Sequence, residues 1–357
     1  MIKNSKKLKV LVGLSGGVDS AVAALLLKKQ GHDVSAVFMK NFSSRDNVDR
    51  ECPWRQDQKE AQKVADFLGI KLETWDFEDQ YREKVVNYLF DTYQAGLTPN
   101  PDILCNSEIK FKLFLAKAIL AGYDKIATGH YAQIKEDKNG FHLLKGVDPN
   151  KDQSYFLAGL NQEQLSRSLF PIGHLKKPKV RQIATAAGLP NADRKDSQGI
   201  CFVGKVNLKD FLSQKITPQK GDILNAEGEK IGEHDGVFYY TIGQRKGIDI
   251  GGGPALYVIK KDLKTNTLTV GPKESLELYT KKIKVSNLHW LGEKYKLPLK
   301  ARAKIRYRQE DQKLIFKQTE QNTWEADFKQ AQFAVAAGQT LAIYQKKELI
   351  ASGIIID

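Results

Sequence analysis

Apolar residues run without a break over positions 10–12, give way to Ser15-Gly16-Gly17, and resume from Val18 at helical spacing. That order predicts a buried strand, a tight turn and a helix. The helix continues over 21–30, with Leu25, Leu26 and Leu27 on its buried side and Gly31 placed as its stop. Residues 34–39 then read as a second apolar strand and the polar stretch 41–55 as a loop. After it come a helix over 56–68, a strand over 71–77 and a helix over 80–93. This alternation predicts a Rossmann-like, doubly wound parallel α/β sheet. In such sheets a ligand sits beyond the carboxyl ends of the strands, where the strand order reverses, and the first glycine turn occupies that place.

Two prolines flank Asn100 in the run Thr98-Pro99-Asn100-Pro101-Asp102-Ile103-Leu104-Cys105-Asn106, which predicts an extended loop followed by a helix over 107–120. A strand over 125–128 leads into Gly129-His130-Tyr131, and 141–144 reads as the return strand of a hairpin. The polar cluster from Lys151 to Ser154 reads as a helix start, and 161–196 as helical with breaks at Pro171, Pro178 and Pro190. From about position 207 short β-type runs replace the long helices, at 237–242, 255–260, 267–270 and 283–285. The expected organisation is a nucleotide domain over 1–206, a small β-rich central domain over 207–280 and a C-terminal β-barrel over 281–357. Within the last unit, Lys300, Arg302, Lys304, Arg306 and Arg308 alternate with Ala301, Ala303, Ile305 and Tyr307. Period two predicts a strand with one basic face, a surface suited to a phosphate backbone.

At 357 residues the chain exceeds one ordinary core, in keeping with that division. The formal net charge of +14, carried by both halves, points to a large polyanion as partner. The basic start at 6–9 leads into too few apolar residues for a secretory signal, and no run reaches the length of a membrane span. Three cysteines, Cys52, Cys105 and Cys201, make an odd and sparse set that argues against a secreted disulfide scaffold. These features predict a cytoplasmic protein with no membrane partner.

Candidate chemistry gathers at two places. Paired glycines let successive backbone N–H groups converge, and the helix behind them adds the positive end of its dipole, so the first turn predicts an anion site suited to phosphates. Ser15 and Ser20 add hydroxyls. No Gly-Lys-Ser/Thr follows, so the turn is not a Walker A loop. Gly129 sits where it would let a nucleotide approach closely, and His130 beside it reads most simply as a structural histidine. The second place is Cys105, just ahead of an expected helix start, a position that favours the thiolate. Asp102 is the nearest candidate acid or base, with helix capping an equal alternative. Cys201 lies far along the chain and can meet Cys105 only through the fold. No neighbouring Cys or His gives metal-ligand spacing, and no protein metal site is expected.

The string Ser15-Gly16-Gly17-Val18-Asp19-Ser20 resembles the pyrophosphate loop of ATP pyrophosphatases, the adenine nucleotide alpha hydrolase-like group. Together with Phe38-Met39-Lys40-Asn41, the run from Thr98 to Asn106, Gly243-Gln244-Arg245-Lys246-Gly247 and Arg306-Tyr307-Arg308-Gln309, the chain resembles the bacterial tRNA-specific 2-thiouridylases along nearly its whole length. The resemblance implies ATP-dependent exchange of the C2 oxygen of a wobble uridine, at position 34 of the tRNAs for Lys, Glu and Gln, for sulfur. It implies that Gly13, Leu14, Ser15, Gly16, Gly17, Val18, Asp19, Ser20, Met39 and Gly129 hold ATP, with Mg²⁺ expected alongside. It makes Cys105 the nucleophile and Cys201 the bearer of a persulfide, charged by a cysteine desulfurase or a sulfur-relay protein. Asn100, Pro101 and Asp102 would surround the target base. His130, Lys151, Asp152, Gln153, Arg306, Tyr307 and Gln339 would touch tRNA. Two other readings fit the loop alone: an ATP-dependent ligase of the same fold, or an RNA-binding module without catalysis.

Overall fold

A computed structural model describes residues 7–43, 53–196, 208–248, 250–251, 253–320 and 322–356. The N-terminal part is built on five parallel strands: β1 (Lys9–Gly13), β2 (Asp33–Lys40), β3 (Leu72–Asp76), β4 (Lys125–Ala127) and β7 (Ser168–Leu169), in the order β3-β2-β1-β4-β7. Val10, Leu11 and Val12 are fully buried because helices cover both faces of the sheet. The chain runs outward from β1 through β2 to β3 and then returns to the other side of β1 as β4, so the order reverses between β1 and β4. Ligand crevices form at such a point.

Helices α1 (Val18–Lys29) and α2 (Pro53–Leu68) follow their expected patterns. A third helix, α3, spans 78–94 and a fourth, α4, spans 101–120, each with a stretch wound at π pitch, in α4 over Cys105–Phe114. The early start of α4 corrects the extended loop expected at the prolines. Pro101 occupies the first helical position, where its missing N–H costs nothing, and Asn100 caps it by accepting from Ile103 N at 3.4 Å. The stretch read as helical over 161–196 is also broken up. It contains a short helix α5 (Gln162–Ser166), the edge strand β7 and the helix α6 (Lys177–Ala186).

The expected hairpin, β5 (Ala132–Asp137) and β6 (Gly140–Lys145), leaves the parallel sheet and joins another. The central strands β8 (Gly221–Leu224), β9 (Lys230–His234), β10 (Tyr257–Asp262) and β11 (Thr267–Gly271) form a sheet ordered β10-β11-β8-β9. The strand expected at 237–242 is instead a tight helical turn at Val237–Tyr239 entering a loop. The last six strands, β12 (Tyr279–Trp290), β13 (Leu299–Lys304), β14 (Gln312–Glu320), β15 (Thr323–Phe333), β16 (Thr340–Gln345) and β17 (Glu348–Ile355), run antiparallel. They close into a barrel through the β12–β17 pairing. Its interior is packed with Ile283, Val285, Ala303, Phe316, Phe328 and Leu341. Strand β6 pairs with β17 at Leu143 and Leu144, so the first unit extends the barrel's sheet. One apolar cluster also threads all three parts, from Leu89 and Phe90 through Phe211 and Val237 to Ala342 and Tyr344.

Candidate functional site

Gly16 has φ +76°, the left-handed conformation the turn requires, and Gly17 caps α1 in an extended conformation. Ser20 Oγ closes the turn by accepting from Ser15 N at 3.2 Å and donating to Gly17 O at 3.0 Å. The N–H groups of α1's first turn have no acceptor within the helix, so the turn offers its donors at the switch point. Gly13 and Met39 meet here: a Cβ on Gly13 would lie 3.0 Å from Met39 Cε. Gly129 also belongs to this place, where the packing of α1 requires a glycine. A Cβ there would fall 2.7 Å from Ser20 N and 2.8 Å from the Asp19 carbonyl carbon, so the glycine admits the backbone of α1 itself.

Several groups that sequence reasoning missed surround the turn. Asp19 accepts from Tyr131 Oη at 2.7 Å and from Lys177 Nζ at 2.7 and 2.8 Å. Asn191 and Arg194 donate to Gly16 O at 2.8 and 3.0 Å, and Arg194 pairs with Asp57. Asp196 binds three cations, Lys151 at 2.6 Å, Arg181 at 2.7 Å and Lys177 at 2.8 Å. Partial burial alone would raise the Asp196 carboxyl, but hydrogen bonds from Lys151 and Lys177 prevail and hold it down at about 2. The signal available in the sequence was Lys177 and Arg181 at i, i+4 spacing, which puts both on one helix face.

These features suit a nucleotide triphosphate: a turn of backbone donors, flanking cations, and a polar group awaiting a guest. Asn41, just beyond the carboxyl end of β2, is 1% exposed, and both ends of its carboxamide find no hydrogen-bond partner among the described residues. Such a group is costly unless a ligand pairs with it, and a carboxamide matches a donor–acceptor edge of a nucleobase. No group of three or more His, Cys, Asp or Glu side chains among the described residues is placed to hold a metal. Asp19 carries its carboxylate in the first turn of α1, beside the glycine turn.

Cys105 is fully buried and lies in the second turn of α4, not ahead of it. The helix dipole acts mainly within the first turn, so the dipole argument for a reactive thiolate does not apply to this geometry. Asp102 lies one turn before Cys105 on the same helix face. The segment leading into α4 is clasped from three sides. Lys261 of β10 donates to Gly96 O at 2.7 Å, and Thr98 meets Thr241 through their hydroxyls at 3.1 Å. Gln339 Nε2 donates to the carbonyls of Thr98 and Pro99 at 3.1 and 2.9 Å, and Ala337 O accepts from Thr98 N. Tyr155 accepts from Asn100 Nδ2 at 3.4 Å and donates to Thr340 O at 2.9 Å. Lys261 has no carboxylate at its amine among the described residues, and burial pushes it down to about 8.

Other residues assigned to RNA by resemblance are committed within the protein. His130 is buried between Phe111 and Phe170, bonded to Thr128 at 2.7 Å, and burial holds it well below its ordinary value. Asp152 is 5% exposed and accepts from Gly146 N and Ser154 N at 3.1 Å each. Its second oxygen pairs with Lys304 at 3.1 Å. Gln153 accepts from Tyr131 N at 3.0 Å, and Lys151 belongs to the Asp196 cluster. The open basic face expected over 300–308 does not form. The strand ends at Lys304, which the first unit buries, while Arg302 pairs with Asp311 at 2.7 Å and half-buried Arg306 donates to Phe333 O. Tyr307 packs on Phe156 with ring centroids 4.3 Å apart. Cys201 and Cys52 lie outside the described residues.

A phosphate turn at the switch point of a parallel sheet, joined to a barrel that grips the segment before a cysteine helix, defines a nucleotide-binding α/β protein of multidomain type. Residues 8–205 match the family described as tRNA methyl transferase HUP domain. Residues 209–272 match the tRNA methyl transferase PRC-barrel domain, and 280–355 the aminomethyltransferase beta-barrel domain. The chain is 47% identical to the tRNA-specific 2-thiouridylase of Alkaliphilus oremlandii over 96% of both chains. It is 48% identical to that of Nitrosomonas eutropha, over 98% of this chain and 99% of the relative. The Streptococcus uberis protein of the same name is 45% identical over 99% and 96%. The chain belongs to the tRNA-specific 2-thiouridylase family. No helix among the described residues is long and apolar enough to cross a membrane.

Proposed function

We propose that this chain uses ATP to replace the C2 oxygen of a uridine in tRNA with sulfur, at wobble position 34 of the tRNAs for Lys, Glu and Gln. The observation that carries the reading is likeness at 45–48% identity over nearly the full length of proteins named for this activity. A uracil carbonyl oxygen is a poor leaving group, and ATP supplies the adenylyl group that lets it depart with AMP. The turn over 13–20 and the cations around it bind the phosphates, Asn41 and Met39 line the base side, and Asp19 is the group available to a Mg²⁺ ion arriving with the nucleotide. Asn100, Pro101 and Asp102 begin the helix that carries Cys105, so a base held there meets the thiol's helix. Cys201, charged as a persulfide by an external donor, supplies the sulfur. Whether the persulfide attacks C2 directly or Cys105 first releases hydrosulfide, one sulfur reaches the base and the thiols end as a Cys105–Cys201 disulfide. An external reductant then resets them.

Nucleoside analysis of tRNA incubated with the protein, ATP and a persulfide donor tests the reading. 2-Thiouridine should form with the native chain and be lost in Cys105→Ser and in Cys201→Ser, while both variants still bind tRNA. Thiolation by either variant, or none by the native chain, overturns it.

A further inference from the structure

We infer that Lys151, Lys177 and Arg181 form the receptor for the pyrophosphate end of the nucleotide, and that Asp196 is an internal anion which the nucleotide displaces. The inference rests on the ATP-dependent reading above and deepens it. Lys177 ties the place to the phosphate turn, since its amine bonds both oxygens of Asp19 in the first turn of α1 and also Asp196. The stretch that carries Asp196 wraps the turn, because Asn191 and Arg194 hold the carbonyl of Gly16. Arg181 is shared: one guanidinium nitrogen holds the carbonyls of Ala192 and Arg194, and the other meets Asp196.

Lys151, Lys177 and Arg181 share this place with three carboxylates, Asp19, Asp148 and Asp196. Asp148 is occupied by the backbone N–H groups of Lys177 and Asn150. Asp196 alone draws all three cations, with one oxygen on Lys151 and the other on Lys177 and Arg181. A carboxylate with two oxygens among three converging cations has the arrangement that a terminal phosphate, with three oxygens and more charge, satisfies better. Asp196 is itself about one-third exposed, as is Arg181, so an incoming anion can reach the cluster without opening the core. Lys151, which resemblance gave to tRNA, is thereby assigned to the nucleotide.

Calorimetric titration of the full chain without tRNA tests this, with MgATP, inorganic pyrophosphate and AMP as probes. AMP lacks the β and γ phosphates and reports the rest of the pocket. Asp196→Asn keeps the shape and removes the competing charge. It should tighten MgATP and pyrophosphate by about tenfold, the worth of one charge-assisted hydrogen bond, and leave AMP unchanged. Arg181→Met should weaken MgATP and pyrophosphate by about tenfold and again spare AMP. Asp196→Asn that leaves pyrophosphate affinity unmoved or lowers it, or Arg181→Met that shifts AMP as much as MgATP, overturns the inference. Native protein that binds none of the three ligands would instead overturn the ATP-dependent reading on which it rests.

Discussion

Replacing Lys304 separates two accounts of the same residue. As a sequence position it belongs to a basic stripe aimed at RNA. As a folded residue its side chain is 9% exposed and pairs at 3.1 Å with Asp152, whose side chain is 3% exposed. Removing one partner of a buried pair typically costs about 3–5 kcal/mol, because the other charge stays behind in a poor solvent. Asp152 would keep two backbone donors, Gly146 and Ser154, which places Lys304→Met near the lower end, at about 3 kcal/mol. Adding Asp152→Asn removes the stranded charge and should return about 1–2 kcal/mol, a coupling expected only of groups in contact. Urea denaturation followed by circular dichroism measures both. The rival account expects a surface cation: stability within about 0.5 kcal/mol of native, and a slope of log affinity for tRNA against log salt reduced by about 1. That pair of results would refute the buried-pair reasoning.

Three further outcomes follow from the geometry. Gly129→Ala drives a methyl into the backbone of Ser20 and Asp19, which cannot swing aside, so it should cost about 1–3 kcal/mol and weaken ATP binding. Gly13→Ala meets only the flexible tip of Met39 and should be milder in the same thermal melts; equal effects would count against the close approach. Gln339→Ala removes two hydrogen bonds to the segment before α4 and should lower the turnover number of thiolation about tenfold with tRNA affinity unchanged, whereas a change in affinity alone would make it an RNA contact. His142 bridges Glu348 and Asp137 at 2.8 Å each, and those hydrogen bonds raise its pKa above the ordinary 6.5. A raised value in the folded state contributes stability that is complete below the unfolded pKa and fades as pH climbs through the folded one. The stability gap between native protein and His142→Gln should therefore be widest below the ordinary histidine pKa and narrow as pH rises above it, and a gap that grows with pH would reject the bridge.

The elements that the sequence disclosed are those whose cause is local. The strand–glycine–helix unit over 10–30 follows from apolar spacing and from a turn that only glycine accommodates, and the parallel sheet follows from repeating it. At Pro101 one local rule was set against another: a proline excludes helix within a run, yet suits its first position, and Asn100 as cap decides between them. The alternation over 299–304 was legible as a strand, but what covers its basic face was not, because Asp152 lies 152 positions away. The receptor cluster has the same character. Lys151, Lys177, Arg181 and Asp196 share no motif, and only the return of the chain past the first turn gathers them. Gly129 shows that a glycine can carry a constraint its sequence position does not disclose, since a missing side chain looks alike whether it makes room for a ligand or for a helix.

The attachment of β6 to β17 bears on how such a protein can be taken apart. At Trp290 the first barrel strand still faces Ala351, but two residues earlier along β17, at Leu349, the neighbour is Leu143 from the nucleotide unit. The C-terminal module therefore borrows its corner from elsewhere in the chain. Expressed alone, it would bare a row of backbone donors and acceptors at that corner and tend to adhere to other copies. A hairpin graft carrying 132–145 along with the module would restore the missing neighbour. For the same reason, the two ends of this molecule are expected to be inherited as one piece.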